Sequence, residues 1–180
     1  MNKVANLADL LMLFKTRGHQ QYGGEAVTQL EHALQCATLA ETGNQSQEMI
    51  VACLLHDIGH LLDKSSDREK NDNHESRAIP LLQQFFSAAV TEPIRLHVRA
   101  KQYLCAVDAG YWETLSPQSR HTLQLQGGIF NKIEAEKFIN QPFAQQAVQL
   151  RQWDDRAKVV GFSTPDLDHF VPIVTACVQQ

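Results

Sequence analysis

Apolar residues recur along this chain at spacings of three and four, and strand-like alternation is scarce. Leu7, Leu10, Leu11 and Phe14 form one stripe, which predicts a first helix ended by Gly18. After a glycine-containing loop, His19 to Glu25, a second helix is expected from Val27 to Thr42. Leu30, Leu34 and Ala37 share its apolar face, and Gly43 stops it. Ser46 is a natural N-cap for a third helix. That helix runs through the unbroken apolar stretch Met49 to Leu55 into His56-Asp57-Ile58-Gly59-His60. The polar, turn-rich segment 63–73 reads as an exposed loop. Another helix is expected from His74, with Pro80 kinking it or marking its start. Thr91 and Pro93 open the next, and Lys101 to Trp112 is mixed. Ser116-Pro117 starts a helix that Gly127 and Gly128 stop. Helical spacing then continues over 132–139 and from Phe143 to Lys158, and Thr164-Pro165 starts the last helix. No internal repeat, low-complexity tract or linker interrupts the pattern. The expectation is all-α, a single domain over residues 1–180, with roughly seven to nine helices.

Composition narrows the function classes. A chain of 180 residues, 43% of them hydrophobic, can bury a core without staples and is not a disordered segment. A formal net charge of −4 provides no basic field for nucleic acid. No Lys/Arg run marks a membrane surface, and the amphipathic N-terminus predicts neither a signal peptide nor a membrane span. The four cysteines form no CxxC pair. Cys36 and Cys53 fall inside apolar helical patterns, so reduced thiols and a cytoplasmic location are expected. Nothing in the pattern specifies an oligomeric state.

The chemistry gathers at His56-Asp57. Adjacent side chains on a helix diverge by about 100°, so this pair can hold one metal while the second oxygen of Asp57 reaches another. His60, four residues on, would lie on the same helical face as His56. Ionisable groups at the end of an apolar helix need partners or a metal. Four more candidates sit on predicted helices or at helix starts: His32, His74, His97 and Asp154. Side chains on facing helices build metal sites in bundle cores. A set of imidazoles and carboxylates without thiolate suits iron, manganese, nickel or zinc, and open positions suit non-haem iron. His19, His121 and His169 fall in loops or polar stretches and are expected at the surface.

The order His32, His56-Asp57, His74, His97, Asp154 resembles the HD-domain superfamily of metal-dependent phosphohydrolases. The flanking segments are more specific. YGGEAVTQLEHALQCATLAE, HDIGH, HVRAKQYL, SRHTLQLQGG and LRQWDDRAK resemble the mixed-valent di-iron oxygenases of that superfamily, over about Tyr22 to Lys158. The resemblance implies an HD-type helical bundle with a buried dinuclear site holding two iron ions, a ferrous–ferric pair. It implies cleavage by O2 of the carbon–phosphorus bond of a 1-hydroxy organophosphonate. One such substrate is 2-amino-1-hydroxyethylphosphonate, giving glycine and phosphate; an N-methylated relative is another. The six residues above match the iron ligands, with Asp57 bridging. Tyr22 and Glu25 match a gate, in which the Tyr occupies an iron site at rest and Glu25 meets the substrate's ammonium. His60, Lys101, Ser119, Thr122, Gln126 and Arg151 match positions that bind the phosphonate or lie beside it. A phosphonate dianion independently calls for cationic and hydroxyl donors. Pro80 and the charged segment 63–73 depart from the family pattern and bear on access to the site.

Two other readings compete. A metal-dependent phosphohydrolase would release phosphate from a nucleotide or other phosphoester without consuming oxygen, and it would need no gate of the Tyr22–Glu25 kind. A metal- or ligand-binding sensor would show no turnover despite full metal loading.

Overall fold

The computed structural model describes residues 4–62 and 74–179. Those residues form α1 (Leu7–Arg17), α2 (Gln29–Thr42), α3 (Gln47–Leu55), α4 (Gly59–Leu62), α5 (His74–Leu82), α6 (Ala88–Val107), α7 (Tyr111–Thr114), α8 (Pro117–Leu125), α9 (Lys132–Ile139), α10 (Ala144–Arg156) and α11 (Leu167–Ala176). Extended pairing among them is confined to two isolated bridges, Gln21 with Thr28 and Phe86 with Val178. The fold is an all-α bundle, with more and shorter helices than the apolar spacing predicts. The expected exposed loop at 63–73 lies outside the described residues.

Local chemistry explains the boundaries. Thr28 and Glu31 form a capping box, so α2 starts at Gln29 and not at Val27. The Val27 carbonyl accepts instead from the Tyr22 N–H, at 2.9 Å. Helix α6 begins at Ala88, one turn before the Thr91-Pro93 signal, because Val90 is part of the core. It continues through the segment that reads as mixed, ending at Val107. Pro80 lies within α5 on an exposed position, six residues after His74. The last helix starts at Leu167, where Asp166 accepts from the His169 N–H; Thr164 and Pro165 precede it.

Helix α3 is buried on all sides from Met49 to Leu55, the pattern of a central core helix. The main apolar cluster surrounds it with α1, α2, α5, the start of α6, α10 and α11. Two smaller clusters join α6 to α9 and α10, and α6 to α7 and α8. Helices α6 and α10 form the most extensive helix pair. The last turn of α3 therefore delivers His56 and Asp57 to the centre of the bundle, where α2, α5, α6 and α10 converge.

Candidate metal centre

Helix α3 ends at Leu55, and His56 holds the cap position in helical conformation. The chain then turns tightly. Ile58, His60 and Leu61 donate their N–H groups to the carbonyls of Leu55, Asp57 and Ile58, three residues back in each case. Gly59 meets a steric demand here. A Cβ at that position would lie 2.0 Å from the His74 carbonyl oxygen, so only glycine lets α5 approach this closely. The break also corrects an expectation. His60 does not share a helical face with His56. It belongs to α4 and stacks on His74, with ring centroids 4.1 Å apart.

The two oxygens of Asp57 divide the cluster. Oδ2 lies 3.3 Å from His56 Nε2 and 3.7 Å from His32 Nε2. Asp154 Oδ1, from α10, lies 3.3 Å from His32 Nε2 and 4.0 Å from His56 Nε2. On the other side, Oδ1 of Asp57 lies 2.9 Å from His74 Nε2 and 3.6 Å from His97 Nε2, and those two nitrogens are 3.1 Å apart. The six residues expected to bind metal from the sequence are thus gathered in one place, all of them buried.

Orientation is set from behind. Nδ1 of His32 donates to the Ala157 carbonyl at 2.7 Å, Nδ1 of His56 to Cys53 at 2.9 Å, and Nδ1 of His97 to Ile94 at 2.7 Å. Each bond turns Nε2 toward the centre, the outer-shell device by which proteins hold metal-binding histidines. Both Asp57 oxygens are buried and have no hydrogen-bond partner. Buried carboxylate oxygens without donors are costly unless a cation meets them. The donor set therefore fits one metal against each oxygen, and triads such as His32, His56 and Asp57 have the spacing for it.

The electrostatics agree. Burial opposes charge on both Asp57 and Asp154. Even so, His56 and His74 hold Asp57 well below the usual carboxylate range, and Arg151 with His32 does the same for Asp154. Burial also opposes charge on His56, yet Asp57 pushes it up to about 10. Burial, with His74 and His56 beside it, pushes His97 down to about 3. Without metal, the cluster keeps a proton on His56 to balance its carboxylates, and a metal must displace that proton.

One side of the cluster opens on a cavity of about 460 Å³. Asp57, His74, His97 and Asp154 reach its wall, as do Tyr22, Glu25, His60, Lys101, Ser119, Thr122, Gln126 and Arg151. Lys101, one turn beyond His97 on α6, donates to Thr122 Oγ1 at 2.8 Å. Arg151 is 4% exposed and heavily committed. It pairs with Asp154 at 2.7 Å and with Asp155, and it donates to Ser119 Oγ at 3.3 Å. Asp155 also accepts from Tyr111. Arg151 thus orients a carboxylate of the cluster as well as lining the cavity.

Tyr22 lies over the His32 side. Its ring stacks on His32 with centroids 3.9 Å apart and planes 12° from parallel, and its hydroxyl is 3.5 Å from Asp154 Oδ1. Burial, then the carboxylates of Asp154 and Asp57, push its pKa well up, so the phenol keeps its proton. A short turn holds it there: Glu25 N–H donates to the Tyr22 carbonyl, Tyr22 N–H to Val27, and Gly23 takes a left-handed φ of +52°.

Sequence reasoning missed Lys158 and Ser116. Both contact Glu25, Lys158 at 3.6 Å and Ser116 through its hydroxyl. Lys158 follows Asp154 by four residues, a spacing that was readable; Ser116 signals only its role as the cap of α8. His121, expected at the surface, is exposed but stands at the cavity rim, while His19 and His169 are exposed elsewhere.

Comparison with known proteins accords with this geometry. Residues 29–123 match the HD domain family, a span that holds five of the six clustered residues and leaves out Asp154. Hydroxymethylphosphonate dioxygenase of Gimesia maris is 43% identical, covering 97% of this chain and 96% of its own. The glycine-betaine-forming 1-hydroxy-2-(trimethylamino)ethylphosphonate dioxygenase of Leisingera caerulea is 41% identical over 93% of this chain and 88% of its own. An uncharacterized protein of Acanthamoeba polyphaga mimivirus is 34% identical over 93% of this chain and 79% of its own.

Proposed function

The chain belongs to the HD-domain family, and on that premise we propose that it is an iron- and O2-dependent oxygenase that cleaves the carbon–phosphorus bond of a 1-hydroxy organophosphonate. The net reaction takes the hydroxyphosphonate and one O2 to a carboxylate and phosphate. Kinship over more than nine-tenths of the chain with two dioxygenases of such substrates supports this over phosphoester hydrolysis. The observation that carries it within the structure is Tyr22, seated on His32 and beside Asp154. A hydrolytic site gains nothing from such a cover, whereas a site that reacts with O2 needs protection until substrate arrives.

In this reading His32, His56 and Asp154 would hold one iron and His74 and His97 the other, with Asp57 offering one oxygen to each side. A ferrous–ferric pair bound there would supply dioxygen activation and the oxidation at the carbon bearing phosphorus. The protein's own groups bind and orient. Lys101 offers an ammonium and Thr122 a hydroxyl to the phosphonate oxygens, with Ser119 and Gln126 as further polar contacts and His60 at the His74 edge. Arg151 adds positive charge while fixing Asp154. Tyr22 keeps its proton and excludes solvent from the His32 side until substrate binding moves the turn at Gly23. The site belongs to one HD-type domain, and the absence among the described residues of a helix long and apolar enough to cross a membrane accords with a small-molecule enzyme.

The test is an oxygen-electrode assay of iron-loaded protein with a panel of 1-hydroxyphosphonates, reading phosphate in parallel. One phosphate per O2 consumed is expected. Phosphate released from a phosphoester with no oxygen consumed would establish the hydrolytic reading instead.

A further inference from the structure

The cavity wall beside Tyr22 contains a cation supplied by the chain itself. Lys158 lies just past α10 with its side chain 11% exposed. Its Nζ is 3.6 Å from Glu25 Oε1, donates to Ser119 Oγ at 3.1 Å, lies 4.0 Å from Asp155 Oδ1, and sits 5.8 Å from the centre of the Tyr22 ring. Glu25 also accepts from Ser116. Among the described residues, the carboxylates that line this cavity are Glu25, Asp57 and Asp154, and the last two belong to the metal cluster. Glu25 is therefore the lining carboxylate left to receive a positively charged substrate group, and Lys158 already neutralises it. A second cation arriving there would give up its hydration without gaining a free counter-ion, and it would face the Lys158 ammonium a few ångströms away. A hydrogen or an uncharged alkyl group would leave the ion pair undisturbed.

We propose that Lys158 fills, from within the chain, the place of a substrate's cationic tail, so that the site selects 1-hydroxyphosphonates whose carbon chain carries no positive charge. Hydroxymethylphosphonate is the smallest of these. The inference rests on the phosphonate reading above and is tested separately from it. Iron-loaded wild type, Lys158→Gln and Lys158→Arg are compared for anaerobic binding of hydroxymethylphosphonate, 1-hydroxyethylphosphonate and 2-amino-1-hydroxyethylphosphonate by calorimetry, and then for kcat/KM in air. Wild type should favour the two uncharged ligands over the amine by about tenfold or more, Lys158→Gln should shift that ratio toward the amine by about tenfold, and Lys158→Arg should keep it. A wild-type preference for the amine overturns the proposal. So does an equal loss for all three ligands in Lys158→Gln, which would make Lys158 a phosphonate ligand. Phosphonates turned over with no charge preference would refute this inference and leave the oxygenase reading standing. Charge-selective binding without oxygen consumption would do the reverse.

Discussion

The two halves of the cluster use the same residue types but meet the rest of the protein differently. His32 and His56 have no exposed surface and do not reach the cavity wall; both are tied by Nδ1 to carbonyls of the core, and Tyr22 covers His32. His74 and His97 front the cavity, next to His60 and one turn from Lys101. One half is thus shielded, and the other fronts the cavity where a ligand arrives. Asp57 is the residue that belongs to both, one oxygen to each.

This asymmetry is open to attack at three points. Removing the shared residue should have the largest effect. Asp57→Ala should release metal from both halves and cut turnover by more than about 100-fold, as metal analysis with kinetics will show. His97→Ala should weaken only the cavity side. A variant lacking Asp57 that kept one tightly bound metal would mean the halves are independent. The next effect is steric. Gly59→Ala sets a Cβ against the His74 carbonyl, so α5 must shift, at a cost of about 1–3 kcal/mol in thermal unfolding of the metal-free protein. Metal affinity should fall on the His74 side while the His32 side keeps its metal; an unchanged melting temperature and two retained metals would refute that close approach. The smallest effect is at the cover. Tyr22→Phe retains the stacked ring but loses the hydroxyl beside Asp154, so bound iron should oxidise severalfold faster in air without substrate, followed by absorbance. Wild-type autoxidation would show that the ring alone shields the site.

The convergence of the six clustered residues was legible because their chemistry conflicts with their setting. His and Asp at the end of an all-apolar helix need a compensating charge, and His32, His74, His97 and Asp154 stand on predicted helices around it. The fold class was legible from the three-and-four spacing. The turn after His56 was not, because its cause is the approach of α5 to Gly59, a contact between segments that no local pattern encodes. The same holds for α6, whose upstream start depends on Val90 finding the core. Arg151 reads in sequence as a cation free to meet an anion, yet Asp154 and Asp155 already share it. Lys158 reads as an ordinary helix-end lysine until the Tyr22 turn brings Glu25 against it.

In the proposed site Asp57 joins two metals. Metal analysis of the wild-type protein after anaerobic reconstitution with iron tests it most directly. About two irons per chain are expected, one for each Asp57 oxygen. A stoichiometry of one, unchanged in His97→Ala, would contradict the dinuclear account.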